Sequence, residues 1–142
     1  MECLRDMAGN DPRKKIDALW VEKLQECILA FEDSYAALCR AYPDDRETCF
    51  FRDLLLVQEE IMLGLYHWAQ SCGKARMALA AGNCLGAAGL LRHGAFSLEK
   101  LLEDRRKAEH SPFENWYRGD TKMNLPGGLE ATYQALKVLK AQ

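Results

Sequence analysis

Residues 16–38, IDALWVEKLQECILAFEDSYAAL, decide the fold class. Large apolar side chains recur in this stretch at steps of three and four residues, which places them on one face of a helix. Such a face must be buried against another element, so the stretch predicts helix-on-helix packing. We predict that this helix begins at Asp11-Pro12 and ends near Tyr42. The apolar face consists of Ile16, Trp20, Leu24, Cys27, Ile28, Phe31, Tyr35 and Leu38.

Three further helices follow from the same periodicity. The second begins after the Pro43-Asp44-Asp45 cap and ends at Gly73, and the proline-free stretch 74–110 predicts one long third helix. If that helix is not continuous, Gly94 is the place where it would kink or break. A short last helix begins at Leu129. The expected fold is all-α, an antiparallel four-helix bundle with two or three long helices, an aromatic loop and a short C-terminal helix.

Small residues are concentrated in the first half of the predicted third helix. Each glycine inside a helix costs up to about 1 kcal/mol relative to alanine, so their presence suggests a compensating close contact. We predict that a partner helix packs tightly against Ala78, Gly82, Gly86 and Gly89.

Composition limits the function classes. A length of 142 residues suits one domain, so we expect 1–142 to be a single helical domain, excised from a larger protein. The 19 basic and 21 acidic residues give a formal net charge of -2, which favours neither nucleic acid nor an anionic membrane as a partner. No apolar run approaches the ~20 residues of a membrane span, and residues 1–11 lack the apolar core of a signal peptide.

The cysteines and histidines form no metal-binding pattern in the sequence. The six cysteines are scattered singly, without a CxxC pair, and we expect small buried thiols. His67 and His93 lack a carboxylate or histidine at ligand spacing, so we expect core or surface histidines. No phosphate-binding loop or dinucleotide fingerprint is present. The sequence predicts no metal and no cofactor.

The segment from Phe113 to Asn124 has the composition of a recognition surface. Its adjacent aromatics could present flat faces, and the planar polar groups around them offer the donors and acceptors that sugars require. Alternatively, the aromatics dock back on the bundle and Arg118 pairs locally with Asp120. The candidate ligand or interface residues are Asn115, Trp116, Tyr117, Arg118, Asp120, Lys122 and Asn124.

Arg105 and His110 form a second candidate site, with the R-x4-H spacing of helical HEPN ribonucleases. The arginine would bind a phosphate while the histidine acts as acid or base. Alternatively, these cations lie near a helix C-terminus because the helix dipole favours them there.

The string Arg105-Arg106-Lys107-Ala108-Glu109-His110 and the aromatic segment after it resemble the helical C-terminal regions of large bacterial glycoside-hydrolase-like proteins. This resemblance covers the last third of the chain and carries over no catalytic residue. It implies a non-catalytic accessory or scaffold domain whose 113–124 loop contacts a neighbouring domain or a glycan. The compartment would be periplasmic or extracellular if the parent protein is exported, and cytoplasmic otherwise.

Two other functions stay open from the sequence. A standalone helical protein–protein interaction module would bind a protein partner, or form a homodimer, through its apolar surfaces. A HEPN-like ribonuclease would use the Arg105 and His110 pair and would cleave RNA.

Overall fold

Four helices make up nearly all of the protein described by the structure, a computed structural model that covers residues 18–41, 55–109 and 124–140. The helices are α1 (Ala18–Ala41), α2 (Val57–Ala80), α3 (Cys84–Ala108) and α4 (Leu125–Lys140). No strand occurs within these ranges, and the helices pack against one another, which confirms the all-α prediction. Among the described helices, none has the length and apolar character needed to cross a membrane.

Successive helices run antiparallel. Gln70 on α2 donates from Nε2 to Oε1 of Gln25 on α1 at 2.8 Å, and Ser34 further along α1 donates to Glu59 at the start of α2 at 2.9 Å. The α2 and α3 helices form the most extensive pair, with α1 against α2 and α4 against α3. The predicted antiparallel bundle is therefore confirmed.

The main core lies between α2, α3 and α4. At its centre, the indole nitrogen of Trp68 donates to the hydroxyl oxygen of Thr132 at 3.1 Å, and that hydroxyl donates to the carbonyl oxygen of Gly128 at 2.8 Å. Both side chains are buried, so these bonds satisfy the polar atoms that the core encloses. The buried members of the cluster are Trp68, Cys72, Ala75, Ala87, Ala88, Leu91, Leu98, Leu101, Leu125, Ala135 and Leu136.

The α1 helix packs outside that cluster. Leu24 and Ile28 of the predicted apolar face are buried, together with Val21, and Trp20 is 44% exposed. Its contacts to α2 include the ring of Phe31 against that of Tyr66, with centroids 5.5 Å apart and ring planes tilted by 46°. The predicted start of α1 at Asp11-Pro12, the cap at 43–45 and the beginning of the second helix lie outside the described residues.

The boundary predicted between the second and third helices is wrong. The α2 helix continues through Gly73 to Ala80, and the chain turns at 81–83 before α3 begins. Gly82 has a φ of 77°, which glycine adopts without strain, and the Asn83 side chain caps α3 by accepting from the Gly86 nitrogen at 2.8 Å. Apolar periodicity continues on both sides of this turn, so the sequence pattern does not indicate the break between α2 and α3. The α3 helix is continuous through Gly94.

The start predicted for the last helix is also wrong. The α4 helix begins at Leu125 and includes the Pro126-Gly127-Gly128 stretch, which the sequence had assigned to the loop. Proline is tolerated in a first helical turn because the backbone nitrogens there have no intrahelical acceptor, so the missing N–H of proline breaks no helical hydrogen bond.

The predicted contact along Gly82, Gly86 and Gly89 is wrong as well. A Cβ atom at Gly82 or Gly89 would meet nothing within 4 Å, and one at Gly86 would meet the Asn83 cap. The close approaches are instead at Gly64, where a Cβ would lie 2.9 Å from the Leu101 Cβ, and at Gly94, where it would lie 3.1 Å from the Ser71 Cβ. Both lie between α2 and α3, where a larger residue would push the helices apart.

Candidate functional site

Of the predicted recognition segment 113–124, only Asn124 belongs to the described residues. Asn124 caps α4: its side-chain oxygen accepts from the Gly127 nitrogen at 3.2 Å, and its carbonyl oxygen accepts from the Gly128 nitrogen at 3.0 Å. Its φ of 44° is a left-handed value that asparagine tolerates. These bonds give Asn124 a structural function at the helix start. The other six candidates, Asn115, Trp116, Tyr117, Arg118, Asp120 and Lys122, lie outside the described residues.

A pocket of about 420 Å³ opens between the C-terminal turns of α3 and the N-terminal turns of α4. We call it the end pocket. Glu109, the last described residue before 110–123, lies on one wall, and Pro126, two residues after Asn124, lies on the other. The lining residues are Leu102, Arg105, Arg106, Glu109, Pro126, Leu129, Glu130 and Tyr133.

The end pocket combines planar donors with carboxylate acceptors. Arg105 and Arg106 supply guanidinium groups, and Glu109 and Glu130 supply carboxylates, so the formal charges of its lining cancel. Glu130 accepts from the Gln134 side chain at 2.6 Å. Tyr133 donates its hydroxyl to Glu99, and this hydrogen bond raises the pKa of the phenol. The arrangement suits a polar, uncharged ligand better than a strong anion.

Of the Arg105 and His110 pair, only Arg105 belongs to the described residues. Arg105 lines the end pocket at the C-terminal end of α3, where cations are favoured by the helix dipole. His110 lies outside the described residues, so the ribonuclease hypothesis stays a prediction.

A second concave site was missed by the sequence reasoning. It is a groove of about 240 Å³ along α2 and α3, which we call the histidine groove. His67 and His93 meet in it edge to face, with ring centroids 6.2 Å apart. The lining residues are Glu60, Leu63, Gly64, His67, His93, Phe96, Ser97, Lys100, Leu101 and Asp104.

Hydrogen bonds and charges hold the two imidazoles in place. The Ser71 hydroxyl lies 3.0 Å from Nδ1 of His93, and Nε2 of His67 lies 3.8 Å from a carboxylate oxygen of Glu32 on α1. Burial lowers the pKa of His67, assisted by the charges of His93 and Lys74, while Glu32 acts in the opposite direction. At pH 7 His67 is therefore more completely neutral than an ordinary histidine, which titrates near pH 6.5.

The two histidines lie far apart in the chain, and only the α2–α3 turn brings them together. Locating the turn at Gly82-Asn83 would have placed both histidines on facing helices about one helical turn apart in level. The described residues contain no group of three His, Cys, Asp or Glu side chains placed to hold a metal ion.

The cysteines occupy different environments. Cys72 is buried, as predicted, and Cys27 and Cys39 are half-buried. Cys84 is exposed in the first turn of α3, where the prediction of a buried thiol is wrong. Cys3 and Cys49 lie outside the described residues.

Comparison with known proteins yields no relative: no family model, curated protein or solved structure matches this chain. The resemblance to glycoside-hydrolase-like proteins accordingly stays a prediction.

Proposed function

We propose that the protein is a non-catalytic helical binding module, an accessory or scaffold domain of a larger carbohydrate-active protein. In this proposal the end pocket and the 113–124 segment together contact a glycan or a neighbouring domain. The single observation that supports it is the end pocket itself, where guanidinium groups, carboxylates and the Tyr133 side chain surround about 420 Å³.

The chemistry of the pocket favours a neutral polyhydroxylated ligand. Sugar hydroxyls both donate and accept, so they can satisfy Arg106 and Glu109 together, whereas a phosphate would be repelled by the carboxylates. The Tyr133 ring, 36% exposed, offers a partly apolar surface on the same helix as Glu130.

A panel of neutral oligosaccharides tests the proposed glycan binding. We expect at least one of them to raise the melting temperature and to give a saturable isotherm by calorimetry. Arg106→Ala should weaken binding by about tenfold, because a hydrogen bond to a charged group contributes on the order of 1.5 kcal/mol. The matched control is Arg92→Ala, which removes an exposed arginine from α3 outside the end pocket and should leave affinity unchanged.

The proposed contact with a neighbouring domain is tested in the parent protein. Trp116→Ala should lower its activity or its melting temperature if the loop supports an adjacent domain. If no oligosaccharide binds and Trp116→Ala changes neither quantity, the proposal is wrong.

A second candidate is a protein–protein interaction module that forms a homodimer. It is favoured by exposed apolar side chains at the end where α2 turns into α3, opposite the end pocket. Leu85 is 87% exposed there, and the other members are Leu19 at 56%, Trp20 at 44% and Met77 at 43%. Isolated exposed apolar residues are ordinary, but several at one end are typical of an interaction site.

Sedimentation velocity distinguishes the two candidates. A homodimer would give a concentration-dependent sedimentation coefficient that Leu85→Ser reduces to the monomer value. Leu29→Ser, which changes an exposed leucine in the middle of α1, should leave the association intact. A monomer at all concentrations would rule out this second candidate.

A further inference from the structure

The turn between α2 and α3 is an exposed end of the bundle without charged side chains. We call residues 77–85 the hairpin tip. Met77 is 43% exposed and Leu85 is 87% exposed, and all residues from Ala80 to Cys84 are exposed as well. No acidic or basic residue occurs from 77 through 91. An apolar end without charges can enter a less polar phase without the cost of burying an ion.

The turn also satisfies much of its own backbone. The nitrogens of Ala81, Gly82 and Asn83 donate to carbonyl oxygens of α2 at 2.9–3.2 Å. The Asn83 side chain accepts from the Gly86 nitrogen at 2.8 Å. Because these polar groups are already paired within the protein, removing water from the tip costs less free energy than removing it from an open loop.

Basic side chains predominate in the half of the bundle that ends at the tip. Hydrogen bonds from Trp68, Gln70 and Ser71 of α2 show which residues of the other three helices lie at the same level. This half has six basic and two acidic side chains, a formal charge of +4, although the whole chain carries -2. It comprises residues 18–26, 69–80, 84–95 and 133–140. The near-neutral total charge therefore conceals a positive end, which attracts an anionic partner.

Exposed cations lie at a suitable depth behind the tip. Arg92, Lys137 and Lys140 are exposed, and none of the ion pairs between described residues involves them. At a rise of ~1.5 Å per residue they lie about 8–12 Å behind the turn. An apolar surface enters a bilayer by about 5–10 Å, so these cations would lie among the headgroups when Leu85 reaches the acyl boundary. Trp20, 44% exposed at the same end, has the type of side chain that is enriched at this interface.

The positive end favours an anionic lipid surface over a second copy of the chain. Two tips meeting head to head would bring a formal charge of +4 against another of +4, and like charges repel. An anionic bilayer instead attracts each nearby lysine or arginine, and its phosphates accept hydrogen bonds from them. A fluid bilayer also accepts a protruding leucine without a matching pocket.

We propose that the hairpin tip docks on an anionic membrane surface. Met77 and Leu85 enter the boundary between headgroups and acyl chains, and Arg92, Lys137 and Lys140 bind the headgroup phosphates. The contact is interfacial, so no helix has to cross the bilayer. It does not depend on the proposed glycan binding, which uses the end pocket at the opposite end of the bundle.

Co-sedimentation of the full chain with lipid vesicles tests the proposal. The probe vesicles are phosphatidylcholine with about 30% phosphatidylserine, and the neutral match is phosphatidylcholine alone. We expect saturable binding to the anionic vesicles, and binding at least about tenfold weaker to the neutral ones, since each cation near an anionic surface contributes about fivefold. Raising the salt from about 0.1 M to about 1 M should remove most of the binding, because the Debye length falls from about 10 Å to about 3 Å.

Variants assign the binding to the tip and its cations. Leu85→Ser should weaken binding to the anionic vesicles by about tenfold through loss of apolar burial. The double change Lys137→Gln with Lys140→Gln should weaken it by about 25-fold, about fivefold for each charge.

The matched controls change exposed residues far from the tip. Lys100→Gln alters a lysine about 24 Å along α3 from Cys84, and Leu29→Ser alters a leucine in the middle of α1. Both variants should bind anionic vesicles as the wild type does.

Three results would overturn the proposal: no binding to anionic vesicles at about 0.1 M salt, where charges remain effective over about 10 Å, equal binding to both kinds of vesicle, or binding that the tip variants leave unchanged. A lipid-free dimer that Leu85→Ser dissociates, together with no vesicle binding, would show that a second copy covers the tip instead. The wild-type comparisons stand even if a variant fails to fold.

Discussion

Trp68 and Thr132 form a buried polar contact between α2 and α4, with 3% and 0% of their surfaces exposed. Thr132→Val keeps the shape of the side chain but leaves the indole nitrogen without its acceptor. We expect the free energy of unfolding, measured by urea denaturation, to fall by about 1–3 kcal/mol. In a Trp68→Phe background, Thr132→Val should lower the free energy of unfolding much less, because the indole donor is already absent. An equal loss in both backgrounds would mean that the hydrogen bond contributes nothing.

His67 allows a prediction of pH dependence. Because burial lowers its pKa, the unfolded chain takes up a proton near pH 6.5 before the folded protein does. The stability that comes from the neutral imidazole is complete above pH 6.5 and decreases as the pH falls from there towards the folded pKa. NMR titration should therefore give His67 a pKa below 6.5, raised by His93→Gln and lowered further by Glu32→Gln. A value above 6.5 in the wild type would contradict the burial argument.

At the scale of the helices, two glycines should respond to alanine with opposite signs. Gly64→Ala would place a Cβ atom 2.9 Å from Leu101 Cβ and 3.2 Å from the carbonyl oxygen of Ser97, so α2 and α3 must move apart. We expect a loss of about 1–3 kcal/mol. Gly89 lies on the exposed surface of α3, and a Cβ atom there would meet no atom within 4 Å. Gly89→Ala should therefore raise the free energy of unfolding by up to about 1 kcal/mol through helix propensity. Chemical denaturation of both variants checks the pair. A neutral or stabilising Gly64→Ala would show that the α2–α3 contact is looser than described.

At the scale of the whole molecule, α1 lies outside the main core cluster. The main core cluster contains residues from α2, α3 and α4 and none from α1, whose fully buried apolar anchor is Ile28. We expect hydrogen exchange of the α1 amides to proceed by local opening, faster than that of α3. Ile28→Ala should accelerate exchange in α1 and leave α3 nearly unchanged, whereas Leu98→Ala should accelerate exchange throughout. Uniform exchange in the wild type would show instead that all four helices open together.

The candidate sites were predictable only in part. Arg105 was recognised from its chain neighbours, and the structure places it in the end pocket. Glu130 and Tyr133, which face it from α4, carry no signal in the sequence that connects them to α3. His67 and His93 were assigned as ordinary histidines because their proximity depends on where α2 turns into α3.

The sequence alone determined the helical class, because apolar periodicity is a local property that each segment carries by itself. The antiparallel order was predicted from the short connections between the helices. The face of residues 16–38 thus indicated a packed helix, and Leu24 and Ile28 are buried as expected. Only the tertiary structure decided the turn at 81–83, the close contacts at Gly64 and Gly94, and the two concave sites. These features depend on the register between helices distant in the chain, and register is set by packing across the whole core.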